Sequence, residues 1–146
     1  MAISYHSMTI QDYDQCLALW QGVEGVCIQS ADSKASIQAY LERNPGLSYV
    51  ARDEQGLVVG AVLCGHDGRR GFLHHVAVEP SHRRKGIATS LVTRALEALT
   101  RAGIEKCHIF VLNDNAEGLA FWKKSGWIKR RDIVLMSMDV PRTSEL

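Results

Sequence analysis

A chain of 146 residues, 46% hydrophobic and 23% charged, suffices for one domain with its own core, 1–146, and leaves little room for a second. Its formal charge of +1 at pH 7 excludes a global field that would recruit nucleic acid or an anionic membrane, so any anion site must be local. No apolar run approaches the roughly 18 residues of a membrane span, and "MAISYHSMTI" lacks the charged-then-apolar pattern of a signal peptide. Cys16, Cys27, Cys64 and Cys107 are scattered without a C-x-x-C pair, which reads as free thiols in a reducing cytoplasm and gives no metal site.

In chain order, "ISYHSM" predicts a first strand. Thr9 and Asp12 then form a capping-box start for a helix with Tyr13, Cys16, Leu17 and Trp20 on its apolar face. "QGVEGVCIQ" interrupts it with two glycines. A second helix is expected after Ser33, with Ile37, Tyr40 and Leu41 on one face, and "NPG" stops it. "LSYVARD" and "LVVGAVLCG", separated by "DEQG", and then "GFLHHVAV" after the turn "HDGRR", predict a three-strand meander. From Gly86 the period changes: Ile87, Leu91, Ala95 and Leu99 make one helical stripe that Gly103 closes. "KCHIFVL" reads as a strand, "NAEGLAFWKKSG" as a short helix, and "WIKRRDIVLMSMDV" as a returning strand. The order β-α-α-β-β-β-α-β-α-β implies an α/β or α+β sheet covered by helices on both faces.

The basic turn before the long helix is the first candidate site. A helix N-terminus offers unpaired N–H groups and the positive end of a dipole. Gly86 permits close approach of a ligand to the backbone, and Arg83, Arg84 and Lys85 add local charge, a combination suited to a diphosphate. A solvated basic turn without function is the plain alternative. Neither G-x-x-x-x-G-K-[ST] nor G-x-G-x-x-G occurs, so a Walker loop and a dinucleotide fingerprint are excluded.

Arg83-Arg84-Lys85-Gly86-Ile87-Ala88, following "VAVEP", resembles the [QR]-x-x-G-x-[GA] signature of the GNAT superfamily of N-acetyltransferases. "NAEGLAFWKKSGW", Asn115 to Trp127, is similar to a second segment of that family. The likeness spans nearly the whole chain and is greatest to small single-domain bacterial members of the YpeA type. It implies a splayed, mixed, mostly antiparallel sheet flanked by helices, with acetyl-CoA in the opening. On that resemblance the pantetheine would pair with the backbone of Val76, Ala77 and Val78. The pyrophosphate would sit on the amides from Arg84 through Lys85, Gly86, Ile87 and Ala88 to Thr89. Asn113 and Asn115 would lie near the pantetheine or acetyl end. A homodimer is the family's habit; no motif encodes it.

Acetyl transfer from sulfur to nitrogen needs a neutral amine, a polarised thioester carbonyl and help for the leaving thiolate. In the family the polarising donor is commonly a backbone amide of the strand that carries "VAV", and the proton donor is usually a tyrosine of the second segment. Here that position holds Trp122, whose indole is no practical acid. Trp122 is expected to pack along the pantetheine channel, leaving water, Ser125 or another tyrosine to protonate the thiolate. His74 and His75 are the candidate bases; strand alternation lets only one face a given site, and His74 shares a face with Val76 and Val78. Core packing and a structural hydrogen bond are their alternative roles. "EGVCIQSADS" and "HDGRR" are expected to shape the acceptor pocket, with Arg69 and Arg70 either binding an acidic acceptor or forming a solvated tip.

The reading is a cytoplasmic N-acetyltransferase moving acetyl from acetyl-CoA to a primary amine of a small molecule or peptide, by direct transfer in a ternary complex. The rival is a CoA-binding sensor or partner module without efficient turnover. A nucleic-acid binder using "HRRK" fails on net charge.

Overall fold

Alternating apolar strands and one-sided helices sort the chain into two helical layers around a sheet. The computed structural model describes residues 2–145. Among them, five strands and four α-helices follow in the order β1 (Ser4–Ser7), α1 (Tyr13–Gln21), α2 (Lys34–Arg43), β2 (Tyr49–Arg52), β3 (Val58–His66), β4 (Gly71–Val78), α3 (Ile87–Arg101), β5 (Cys107–Ile109) and α4 (Ala116–Lys124). The sheet order is β1-β2-β3-β4-β5; every pair is antiparallel except β4 and β5, which run parallel. This is the mixed, mostly antiparallel sheet that the resemblance implies.

The helices take the two faces according to their apolar stripes. Tyr13, Cys16, Leu19 and Trp20 of α1 and Ile37 of α2 close one core against Val50, Ala61, Leu63 and Ala77. Ile87, Leu91, Ala95 and Leu99 of α3, the expected stripe, close the other against Ala51, Val62, Cys64, Leu73 and Val78, and Trp122 of α4 joins them. The long helix ends as its glycine predicts: Gly103 takes φ 83°, and the Ile104 N–H donates back to Leu99 O at 3.0 Å. At the first capping box, the Asp12 carboxylate accepts the Thr9 N–H at 2.9 Å and is also paired with Arg52 of β2. That pair ties the start of α1 to the sheet.

The sheet differs from expectation in two places. β5 covers only Cys107–Ile109 of "KCHIFVL", because it leaves β4 after the pair Leu73↔Ile109 and has no strand on its other side. The final strand expected over 127–140 is not formed. Beyond Trp127 the chain makes no ladder pair among the described residues, and Ile128, Val134, Met136, Met138 and Val140 are each at least 84% exposed. Its alternation suits a strand, but a strand exists only against a neighbour, and the segment pairs with none among the described residues.

Candidate active site

The site is built where β4 and β5 part. Below Leu73↔Ile109 the two strands are paired; above it the β5-facing edge of β4 has no strand neighbour. The cleft so opened is lined by His75 and Val76 on one wall and by Ile109, Phe110, Val111 and Leu112 on the other. Gly25, Val26, Asn115 and Trp122 complete it.

A bulge in β4 aims the histidines. Ala61 pairs with Ala77 and Leu63 with His74, so two steps along β3 answer three along β4. His75 absorbs the extra residue at φ 50°, a left-handed conformation costing a non-glycine residue roughly 1–2 kcal/mol. Two contacts hold it there. The Trp20 indole N–H donates to the His75 carbonyl at 3.0 Å, and His75 Nε2 lies 2.9 Å from Asp32 Oδ1.

The bulge corrects the face assignment made from simple alternation. His74 and His75 both turn to the α1/α2 side: His74 meets Tyr40 and Phe72, His75 meets Trp20. Val76 and Val78 pack on the opposite, α3 side. His74 therefore does not share their face, and it is His75 that lines the cleft. Burial lowers the pKa of His74, and neighbouring His75 adds to this against the opposing pull of Asp32.

Asp32 is the residue that motif reading missed. It lies inside the interrupting segment "EGVCIQSADS", but nothing local distinguishes it from a turn aspartate. Its Oδ2 accepts the Gln29 N–H at 3.0 Å and its carbonyl accepts the Tyr13 hydroxyl at 2.6 Å, so the carboxylate is fixed before it meets His75. Asp32 thus engages Nε2 of the two ring nitrogens.

The segment reaches the cleft at a second point. Gly25 has φ 91°, and a Cβ there would stand 2.8 Å from Asn115 Nδ2. Asn115 also caps α4, its Oδ1 accepting the Gly118 N–H at 3.0 Å. Asn113 is exposed and is not one of the cleft residues. Glu24 is exposed as well.

Beyond β4 the chain makes a short turn into α3. Glu79 accepts from Ser81 and lies 2.9 Å from His82 Nδ1, which makes it a turn carboxylate. Arg84 (φ 63°) and Gly86 (φ 76°) are both left-handed, and the first α3 bond of the next turn runs from Ser90 N–H to Gly86 O. The amides of Ile87, Ala88 and Thr89 thus precede the first helical hydrogen bond and point out of the helix end. Arg83, Arg84, Lys85 and Gly86 are exposed around them. Dipole, amides and cations converge as a diphosphate requires.

Trp122 is 8% exposed and makes edge contacts to Phe121 and Trp127, both at 5.0 Å between centroids. Ser125 donates its hydroxyl to Phe121 O at 2.8 Å, so that proton is committed to the helix end. The Tyr40 hydroxyl is buried without a partner among the described residues, and burial raises its pKa. Arg69 and Arg70 sit at the β3–β4 hairpin tip, at the opposite end of β4 from His75. Five residues of strand put Arg70 roughly 16 Å from it, so the tip is not part of the cleft. Among the described residues, no group of three or more His, Cys, Asp or Glu is placed to hold a metal ion.

A model of the acetyltransferase (GNAT) family matches residues 13–127. The chain belongs to the GNAT acetyltransferase family. It is 28% identical to acetyltransferase SG1711 of Sodalis glossinidius over 86% of this chain and 87% of that one. It is 31% identical to acetyltransferase ECA0875 of Pectobacterium atrosepticum over 77% and 79%. Among solved structures, the PaiA N-acetyltransferase of Thermoplasma acidophilum in complex with coenzyme A has the same fold, with a TM-score of 0.72, 18% identity and coverage of 86% and 89%. The GNAT membership makes the chain an acetyl-CoA-dependent N-acetyltransferase. No described helix is long and apolar enough to cross a membrane.

Proposed function

We propose that this GNAT chain transfers acetyl directly from acetyl-CoA to a primary amine of a small molecule or peptide, with His75 as the base and Asp32 holding it. The observation that carries this reading is the fixed His75–Asp32 pair on the wall of a cleft whose strand leads into the amide-rich start of α3. Acetyl-CoA fits the opening by its chemistry: the diphosphate on the amides from Arg84 to Thr89 among Arg83, Arg84 and Lys85, the pantetheine along the edge of Val76, Ala77 and Val78. Its thioester supplies the electrophile. The chain supplies a backbone edge to align and polarise it and an imidazole that takes a proton from the amine as nitrogen attacks. Trp122 walls the channel, and solvent protonates the departing thiolate. We place the reaction in the cytoplasm, where four unpaired cysteines stay reduced.

Calorimetry with CoA and with pantetheine, which lacks the diphosphate, tests the cosubstrate site. Wild type is expected to prefer CoA, and Gly86→Glu, placing bulk and negative charge at the helix start, is expected to abolish CoA binding in a folded protein. Equal affinity for the two ligands overturns the assignment. A panel of amines, read by acetyl-CoA-dependent thiol release, identifies the acceptor. Trp122 at the family's tyrosine position favours the second reading, a CoA-binding module without turnover; that reading requires tight binding with no amine acetylated.

A further inference from the structure

We infer that the acceptor amine carries an uncharged aromatic ring that stacks on Phe110, which makes Phe110 a specificity-determining residue. The inference rests on the reading of the cleft as the transfer site and adds the chemical class of its substrate. Two observations carry it. One is a row of aromatic rings that ends open at the fork of the sheet. The other is a cleft lining without an ionisable side chain apart from His75.

Strand register sets the row. Phe72 pairs with His108 across β4 and β5, and two residues further on stand His74 and Phe110. The Phe110 ring lies 6.0 Å from Phe72 and 6.2 Å from His74 between centroids, with planes only 14° and 26° apart. Tyr40 of α2 turns its edge to His74 at 6.4 Å, so the row lies on the α1/α2 side of the sheet, as His75 does. Phe110 is the first residue past the last β4–β5 pair, Leu73↔Ile109, and it lines the cleft together with His75. It is 55% exposed, and Leu112 beside it in the cleft is 45% exposed. An amine at His75 therefore has the free end of the row across the cleft from it.

The lining limits what the amine can carry. Among the described residues, those lining the cleft include no carboxylate, lysine or arginine. The Asp32 carboxylate is already shared between His75 and the Gln29 N–H. A second ammonium or a carboxylate on the acceptor would give up its water without meeting an opposite charge. An alkyl chain would gain burial against Val26 and Leu112 and nothing more. A planar ring gains that burial and also extends the row, adding ring-on-ring contact.

Initial rates with acetyl-CoA and 2-phenylethylamine, 2-cyclohexylethylamine and 1,4-diaminobutane test this. The phenyl amine is expected to have the highest kcat/KM, exceeding the cyclohexyl amine by roughly threefold to tenfold, the scale of one ring stack. Phe110→Ala is expected to erase that preference by raising KM for the phenyl amine at unchanged kcat. If Phe110→Ala does not fold, Phe110→Leu, which keeps apolar bulk without a ring, is expected to do the same. Equal kcat/KM for the phenyl and cyclohexyl amines overturns the proposal, as does a faster diamine or a preference that survives loss of the ring. If none of the three is acetylated, the transfer reading fails separately, and calorimetry of the phenyl and cyclohexyl amines on CoA-loaded protein decides the ring site. Tighter binding of the phenyl amine that Phe110→Ala removes supports it; equal binding, or none, overturns it.

Discussion

His75 Nε2 and Asp32 Oδ1 lie 2.9 Å apart, joining the bulge of the central strand to the loop that precedes α2. The pair resolves a conflict between propensity and use. A histidine at φ 50° is unfavourable on its own, and the two contacts to His75 hold it there. Strain of this kind clusters at functional positions, which is the reason to test His75 by substitution.

If His75 removes the amine proton, His75→Gln should lower kcat/KM about 100-fold or more and remove the acid limb of the pH profile. Asp32→Asn should cost less. The double variant should be no slower than His75→Gln beyond about a factor of two, because both act through one proton transfer. Rate measurements on the three variants, with melting curves to expose any loss from the Gln29 cap, check this. Additive losses would separate Asp32 from the chemistry.

Trp122→Tyr restores a hydroxyl at the family's usual proton-donor position while shrinking a buried ring. Stability is expected to fall by roughly 1–3 kcal/mol, since Phe121 and Trp127 pack on the indole. An equal or lower kcat is expected alongside, if solvent already protonates the thiolate. A gain of about tenfold, worth ~1.4 kcal/mol in the barrier, would show that the tryptophan limits the wild-type reaction.

His74 gives the fold a defined acid sensitivity. Its folded pKa is held below the ordinary 6.5 by burial first and by His75 second. A group with a depressed folded pKa favours the native state above the unfolded value. Stability should therefore decline as the pH drops from about 6.5 toward the lower folded pKa, where the unfolded chain binds the extra proton. Urea midpoints from pH 7.5 down to pH 5, compared between wild type and His74→Phe, measure it; the expected result is a flatter decline in the variant.

The sequence by itself determined the parts governed by local chemistry. The stripe Ile87–Leu91–Ala95–Leu99, the capping box at Thr9 and Asp12, the glycine stop at Gly103 and the basic, glycine-containing turn into α3 all follow from spacing a few residues long. These placed the cosubstrate motif and the order of helices and strands through α4. Tertiary structure decided what depends on distant neighbours. Alternation cannot reveal a bulge, because the extra residue is defined only by the pairing of β3 with β4; that is why both histidines share a side. Asp32 becomes a partner of His75 only when the loop before α2 folds across the sheet. The last apolar run reads as a strand, yet a strand is realised only by pairing, and this run pairs with no strand among the described residues. A strand propensity is local; the ladder that fulfils it depends on a partner strand distant in sequence.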